Sequence, residues 1–226
     1  MDLTFLNPFN SKTANNIQHT QFFTPGPEGN IECLLSTPIN DTPPAAITVI
    51  CHPHPLYSGT MHNKVVFTAA KTFNKHNIPV LRFNFRGVER SEGEFADGVG
   101  EQDDLYAVTK LIQDLYPGKP LWLAGFSFGA YIAASMQQTL EAKHLITIAP
   151  AVTSFNFNTF PAPDCPWLLI QGLADEVVDA QEVLKWANSL DKPPTIKTLE
   201  DTSHFFHGRL VDLANIIENN IIDVGD

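Results

Sequence analysis

From Ala45 onward, short runs of β-branched and apolar residues alternate with longer stretches of helical spacing, and this alternation restricts the fold more than any other feature of the chain. The runs Ala46–Cys51, Ile78–Phe83, Leu121–Ala124, Leu145–Ile148, Trp167–Gln171 and Thr195–Thr198 read as buried strands. Between them, Val66, Ala69 and Phe73 share one helical face, as do Leu105, Val108, Leu111, Ile112 and Leu115, before Pro117 and Gly118 stop that helix. Val183, Leu184, Ala187 and Leu190 form another apolar face, opened by Asp179 and Glu182 as an N-terminal capping pair, and Leu210, Leu213, Ile216 and Ile217 mark a last helix. Parallel neighbours need long crossovers, so strand and helix in this order predict an α/β fold: a mostly parallel sheet with helices on both faces. Active sites of such sheets lie at the carboxyl ends of the strands.

Ahead of that pattern, Gln18–Phe23 and Ile31–Ser36 are β-prone runs separated by Pro25, Gly26, Pro27, Gly29 and Asn30, which predicts an N-terminal antiparallel hairpin. No repeat, low-complexity segment or linker interrupts the chain, so residues 1–226 are expected to form a single domain. Asp and Glu outnumber Lys and Arg by 25 to 14, a balance that repels phosphate backbones and anionic lipid and argues against a nucleic-acid or membrane partner. Cys33, Cys51 and Cys165 are widely spaced with no C-x-x-C pair, which suits a reducing compartment. Met1–Asn16 lacks the basic start and continuous apolar stretch of a signal peptide, so the expected location is the cytoplasm.

Gly125-Phe126-Ser127-Phe128-Gly129 joins the strand at Leu121–Ala124 to the helix-prone stretch Ala130–Ala134. The G-x-S-x-G pattern alone arises by chance in roughly one chain in ten of this length, from glycine and serine usage of about 7% each. Its placement between strand and helix is what makes Ser127 the candidate nucleophile, because a reversal this sharp leaves no room for side chains two positions away and exposes the hydroxyl at a helix N-terminus.

A serine hydroxyl needs a base, and His204 sits just after the last predicted strand, at the edge where Ser127 should emerge. The base in turn needs a carboxylate to set its tautomer, and Asp175 comes after the preceding strand, at the same edge. Glu176 is adjacent, Asp179 is better explained as a helix cap, and Asp201 would have to fold back locally onto His204. The order Ser, Asp, His is that of α/β-hydrolases.

With these residues in place the chain resembles the α/β-hydrolase superfamily, and within it a group of small, mostly bacterial predicted serine hydrolases with an H-P-H-P motif. The resemblance spans about Ala45 to Leu210. It rests on His52-Pro53-His54-Pro55-Leu56-Tyr57, Met61-His62-Asn63-Lys64-Val65-Val66, Phe85-Arg86-Gly87-Val88, Arg90-Ser91-Glu92-Gly93, the Ser127 turn, Asp175-Glu176-Val177-Val178 and His204-Phe205-Phe206-His207-Gly208. It implies an eight-stranded, mostly parallel sheet entered through an antiparallel hairpin. Ser58 and Glu89 stand where glycine is usual in the group, at positions where a positive φ would strain a side chain.

Acyl transfer also needs N–H donors aimed at the developing oxyanion, one of them on the residue after the nucleophile, here Phe128. In the loop after the strand ending at Cys51, Pro53 and Pro55 have no N–H, which leaves His54 between them, with His52 and Leu56 as neighbouring alternatives. A metal site on His52, His54 and His62 is disfavoured, since no H-E-x-x-H spacing, cysteine or carboxylate accompanies them. Arg86–Gly93 lacks the G-K-[ST] ending of a phosphate loop and reads as structural. Phe126, Phe128, Tyr57, Phe205 and Phe206 fall near the predicted catalytic turns, and Ala149–Pro166 leaves room for a loop but not a large cap.

The expected function is therefore hydrolysis of a carboxylic ester or thioester, a small-molecule acyl substrate, through an acyl-enzyme, with no cofactor and no metal. The alternatives are a peptidase or amidase on the same triad, and a non-catalytic binding protein on the same fold.

Overall fold

The computed structural model describes residues 9–12 and 16–221. Nine strands form one sheet in the order β1-β2-β3-β5-β4-β6-β7-β8-β9. They are β1 (Phe9–Lys12), β2 (Ile17–Gly26), β3 (Gly29–Pro38), β4 (Ile47–Cys51), β5 (Val80–Phe83), β6 (Leu121–Phe126), β7 (His144–Ile148), β8 (Trp167–Gly172) and β9 (Thr195–Leu199). β2 and β3 are the expected hairpin, and β3 pairs antiparallel with β5. From β5 to β9 every pairing is parallel. The eight strands anticipated from the sequence are β2 to β9, and the short β1 adds an antiparallel edge beyond them.

Helices α1 (Lys64–Lys75) and α5 (Leu210–Ile221) cover one face, packing Val65, Phe73, Leu213 and Ile217 on Ile50, Val80, Trp122 and Phe126 of the strands. Helices α2 (Gly100–Leu115) and α3 (Phe128–Met136) cover the other, over Val49, Leu81, Leu123 and Leu145. Helix α4 (Ala180–Asn188) places Val183 and Ala187 against Leu169 of β8, the strand whose Leu168 and Ile170 point to the first face. Strand residues thus alternate between two apolar layers, which is why these strands read as continuous apolar runs.

β9 departs from its expected burial. Thr195, Lys197 and Thr198 are exposed, because β9 is the sheet edge and pairs with β8 alone. An apolar-run pattern does not tell a short edge strand from a central one. Among the described residues no helix is long and apolar enough to cross a membrane, and all three cysteines are free.

The chain order places the site. From β4 the chain crosses by α1 to β5 on one side, and from β6 it crosses by α3 on the opposite face to β7 on the other side. Right-handed crossovers in opposite directions leave adjacent strands β4 and β6 with loops that part at their carboxyl ends, opening a crevice there. The segments beginning at His52 and Ser127 both start at that point.

Candidate active site

Ser127 occupies the single residue between β6 and α3, with φ 56° and ψ −114°. A side chain accepts that strained backbone only where its surroundings over-determine it, and here two close approaches do so. A Cβ on Gly125 would lie 2.1 Å from the Gly129 carbonyl oxygen, and one on Gly129 would lie 2.4 and 2.5 Å from the carbonyl oxygens of Cys51 and His52. The Ser127 N–H is tied to the Ile148 carbonyl at 2.9 Å, locking the turn to β7.

The structure brings the three residues singled out by chain order into one hydrogen-bonded chain. Ser127 Oγ is 3.1 Å from His204 Nε2, and His204 Nδ1 is 2.8 Å from Asp175 Oδ2. A carboxylate against Nδ1 requires a proton there, so Nε2 is left to accept from the serine hydroxyl. His204 is 2 % exposed and its ring packs on Phe126 at 4.9 Å between centroids. Asp175 Oδ1 accepts the N–H groups of Val177 and Val178 at 2.9 and 2.8 Å, while Oδ2 also accepts from the Gln171 amide at 3.0 Å. Burial alone would raise the Asp175 carboxyl, but the hydrogen bonds from His204, Val178 and Val177, with the attraction of the imidazole, outweigh it and hold the group below its ordinary range.

Of the competing carboxylates, Asp179 caps α4, accepting from the N–H groups of Gln181 and Glu182. Glu176 does something that sequence reasoning missed: its Oε2 accepts the main-chain N–H of His204 at 3.0 Å and so anchors the loop that carries the imidazole. Its adjacency to Asp175 was the only available signal. Gln171, the second missed group, gave none, since it is one polar residue at the end of an apolar strand.

The loop after β4 is held by His52, which is fully buried. Its Nε2 accepts the Phe85 N–H at 3.0 Å, so Nδ1 carries the proton and donates to the Pro53 carbonyl at 2.6 Å. Burial pushes this imidazole down to about 3, which keeps it neutral. His54 comes two residues later, its ring against Tyr57, Phe95 and Phe128 at 4.8, 4.9 and 5.1 Å. Burial lowers the His54 imidazole too, against the opposing pull of Asp97. The His54 carbonyl accepts from Tyr57 and Gly59, and its Nδ1 accepts the Leu56 N–H at 3.2 Å. That last bond occupies the Leu56 donor. The N–H groups of His54 and Phe128 have no hydrogen-bond partner among the described residues.

Ser58 and Glu89 both have positive φ, at 60° and 49°, so the strained backbone is kept where glycine was expected. His62 lies 3.9 Å from Glu89 and takes no part in a cluster with His52. Among the described residues no group of three or more His, Cys, Asp and Glu is arranged to hold a metal ion. The Arg86–Gly93 loop is structural, its buried Arg86 bound by two nitrogens to Asp104 of α2. The 149–166 segment is a loop with one 3-10 turn (Phe157–Thr159), and its Phe155 packs on Phe128 and His54 at 5.1 and 5.9 Å.

Residues 42–158 match the model of the family described as Serine aminopeptidase, S33. The chain is 34% identical over 214 residues to an uncharacterized protein of Rickettsia prowazekii, covering 90% of this chain and 89% of that protein. Among solved structures it is similar to an α/β serine hydrolase without lid from Xanthomonas campestris, with a TM-score of 0.87 and 40% identity over 95% of this chain and 97% of the other. An α/β serine hydrolase homologue from Coxiella burnetii gives a TM-score of 0.86 and 39% identity over 93% and 100%.

Proposed function

Because the chain belongs to the S33 serine aminopeptidase family of α/β serine hydrolases, we propose that it cleaves carboxylic esters or thioesters through an acyl-enzyme on Ser127. The observation that carries this reading is the continuous hydrogen-bonded chain from Ser127 through His204 to Asp175. His204 Nε2 takes the hydroxyl proton as Ser127 Oγ attacks the acyl carbonyl, and Asp175 stabilises the imidazolium that results. The negative charge on the carbonyl oxygen is received by the main-chain N–H groups of His54 and Phe128. His204 then passes its proton to the leaving oxygen or sulfur, and a water activated by the same imidazole releases the acid. Neither His52 nor His54 competes as base, since burial lowers both imidazoles and the nitrogens of His52 are both engaged.

The rim supports an acyl substrate. Leu56, Tyr57, Val177 and Phe205, each within a few residues of a proposed catalytic group, are large apolar side chains left exposed. The S33 description favours a second reading, amide hydrolysis on the same triad.

The test has two stages. A fluorophosphonate probe should label Ser127 stoichiometrically, and an unlabelled protein would leave the binding-protein reading. A panel of matched esters, thioesters and aminoacyl amides should then show esters and thioesters turned over fastest. Amides cleaved as fast as esters of the same acyl group would transfer the assignment to the peptidase.

A further inference from the structure

Between α1 and the β2–β3–β5 part of the sheet lies a cavity of about 490 Å³, within the size range of small-molecule sites. None of its lining residues belongs to the triad, the Ser127 turn or the His52–Gly59 loop. Its charged lining is Arg82, Lys71 and Lys75, with His19 beside them and no Asp or Glu among its described lining residues. That is the reverse of the chain as a whole, whose net charge is −11.

Arg82 is the unexpected residue. It sits within β5, where Val80, Leu81 and Phe83 are all buried apolar side chains, and it is itself only 3 % exposed. A guanidinium taken out of water normally has a carboxylate beside it. Here, among the described residues, it has none. One nitrogen, Nη1, donates to the Met61 carbonyl at 3.0 Å, and the buried Nε has no partner among the described residues. The ring of Phe67 lies 5.6 Å away and supplies only a weak counter-field. Lys71 is exposed at the rim and forms no ion pair among the described residues, whereas Lys75 is partly answered by Glu218 at 3.9 Å. The remaining wall is mixed: Phe67, Ala70, Pro38 and Ile39 give it an apolar part, and Ser36 with several asparagines, Asn74 among them, a polar one.

We infer that this cavity is a second ligand site, for a small carboxylate carrying an apolar body, with Arg82 and Lys71 holding the anion and Phe67, Ala70 and Pro38 receiving the body. A planar guanidinium matches a carboxylate geometrically, and a bound anion supplies the countercharge that the fold withholds. Burial lowers the Arg82 guanidinium to about 10, which still leaves it charged at neutral pH.

The probe is octanoate, titrated by calorimetry into protein whose Ser127 has been blocked with a phosphonate, so that the catalytic cleft does not contribute. Octanoate should bind, and the uncharged octanamide should bind at least about tenfold more weakly. Arg82→Met should weaken octanoate by about tenfold or more. Because that residue is buried, the exposed substitution Lys71→Glu gives a second reading that does not threaten the core, and it should weaken octanoate several-fold while ester turnover by unblocked enzyme is unchanged. Equal affinity for octanamide and octanoate, or octanoate binding untouched by Lys71→Glu, would overturn the assignment. So would the absence of any binding to the blocked wild-type protein.

Discussion

Arg82 and Arg86 leave the same strand region for opposite faces of the sheet, and both are buried, at 3 % and 5 % exposure. Arg86 is gripped by Asp104, with Nε at 3.0 Å from Oδ2 and Nη2 at 2.8 Å from Oδ1, and Asp104 also accepts the Arg86 N–H. Arg82 meets one carbonyl oxygen and a cavity with no carboxylate among its described lining residues. The difference separates two uses of a buried charge. One that is fully answered by the protein fixes a loop, here the segment 87–99, whose Phe95 packs on His54 and Phe128. One that is left unanswered has room for a partner from outside. The proposed catalytic edge belongs to the first kind: the Asp175 carboxylate is met by four donors.

The largest expected effect tests whether the two regions are separate. Ser127→Ala should lower kcat for an activated ester by about a million-fold while leaving Arg82-dependent octanoate binding intact. If binding disappeared with the serine hydroxyl, cavity and cleft would be one site. Asp175→Asn should cost about 10⁴-fold in kcat, because the amide favours the wrong tautomer of His204. In the same assay Glu176→Gln and Asp179→Asn should be far milder, and a larger loss at Asp179 would reassign the acid.

Next in size is the answered arginine. Arg86→Met strands the Asp104 carboxylate and should destabilise the fold by about 3–5 kcal/mol in denaturant unfolding. An amide-to-ester replacement at position 54, which deletes one N–H and keeps the side chain, should lower kcat by about 10²–10³-fold; an unchanged kcat would remove His54 from the oxyanion site. Smallest of all is the unanswered arginine. Arg82→Met loses a hydrogen bond to Met61 but also removes an uncompensated buried charge, so the two terms offset and stability should change by about 1 kcal/mol or less. A loss as large as that of Arg86→Met would show that Arg82 is structural and erase the contrast.

Much of this was legible in residue order. Apolar periodicity gave the parallel sheet and its helices, and Gly125 and Gly129 marked a turn whose steric reason is local at Gly125 and lies against Cys51 and His52, at the end of the neighbouring strand, at Gly129. Asp175 and His204 were legible because each comes just after a strand, and parallel strands bring the residues beyond their carboxyl ends to a common edge. Positive φ at Ser58 and Glu89 was likewise readable from the resemblance. Position along the chain does not say which side chain meets which partner across it. The anchoring of His204 by Glu176 and the clamp of His52 on Phe85 both join residues on different elements.

Arg82 shows where that boundary lies. In sequence it is one charged residue in an apolar strand, while Arg86 opens a loop that also holds Glu89, Arg90 and Glu92, and neither neighbourhood says which arginine a carboxylate will reach. Sequence alone determined the layering, the edge at which the proposed catalytic residues gather and the order in which they arrive, because these depend on period and on the handedness of crossovers. Only the tertiary structure decided that Asp104 reaches Arg86 and that no carboxylate among the described residues reaches Arg82, because a buried charge is answered by contacts between distant segments, and those exist only once the helices have packed on the sheet.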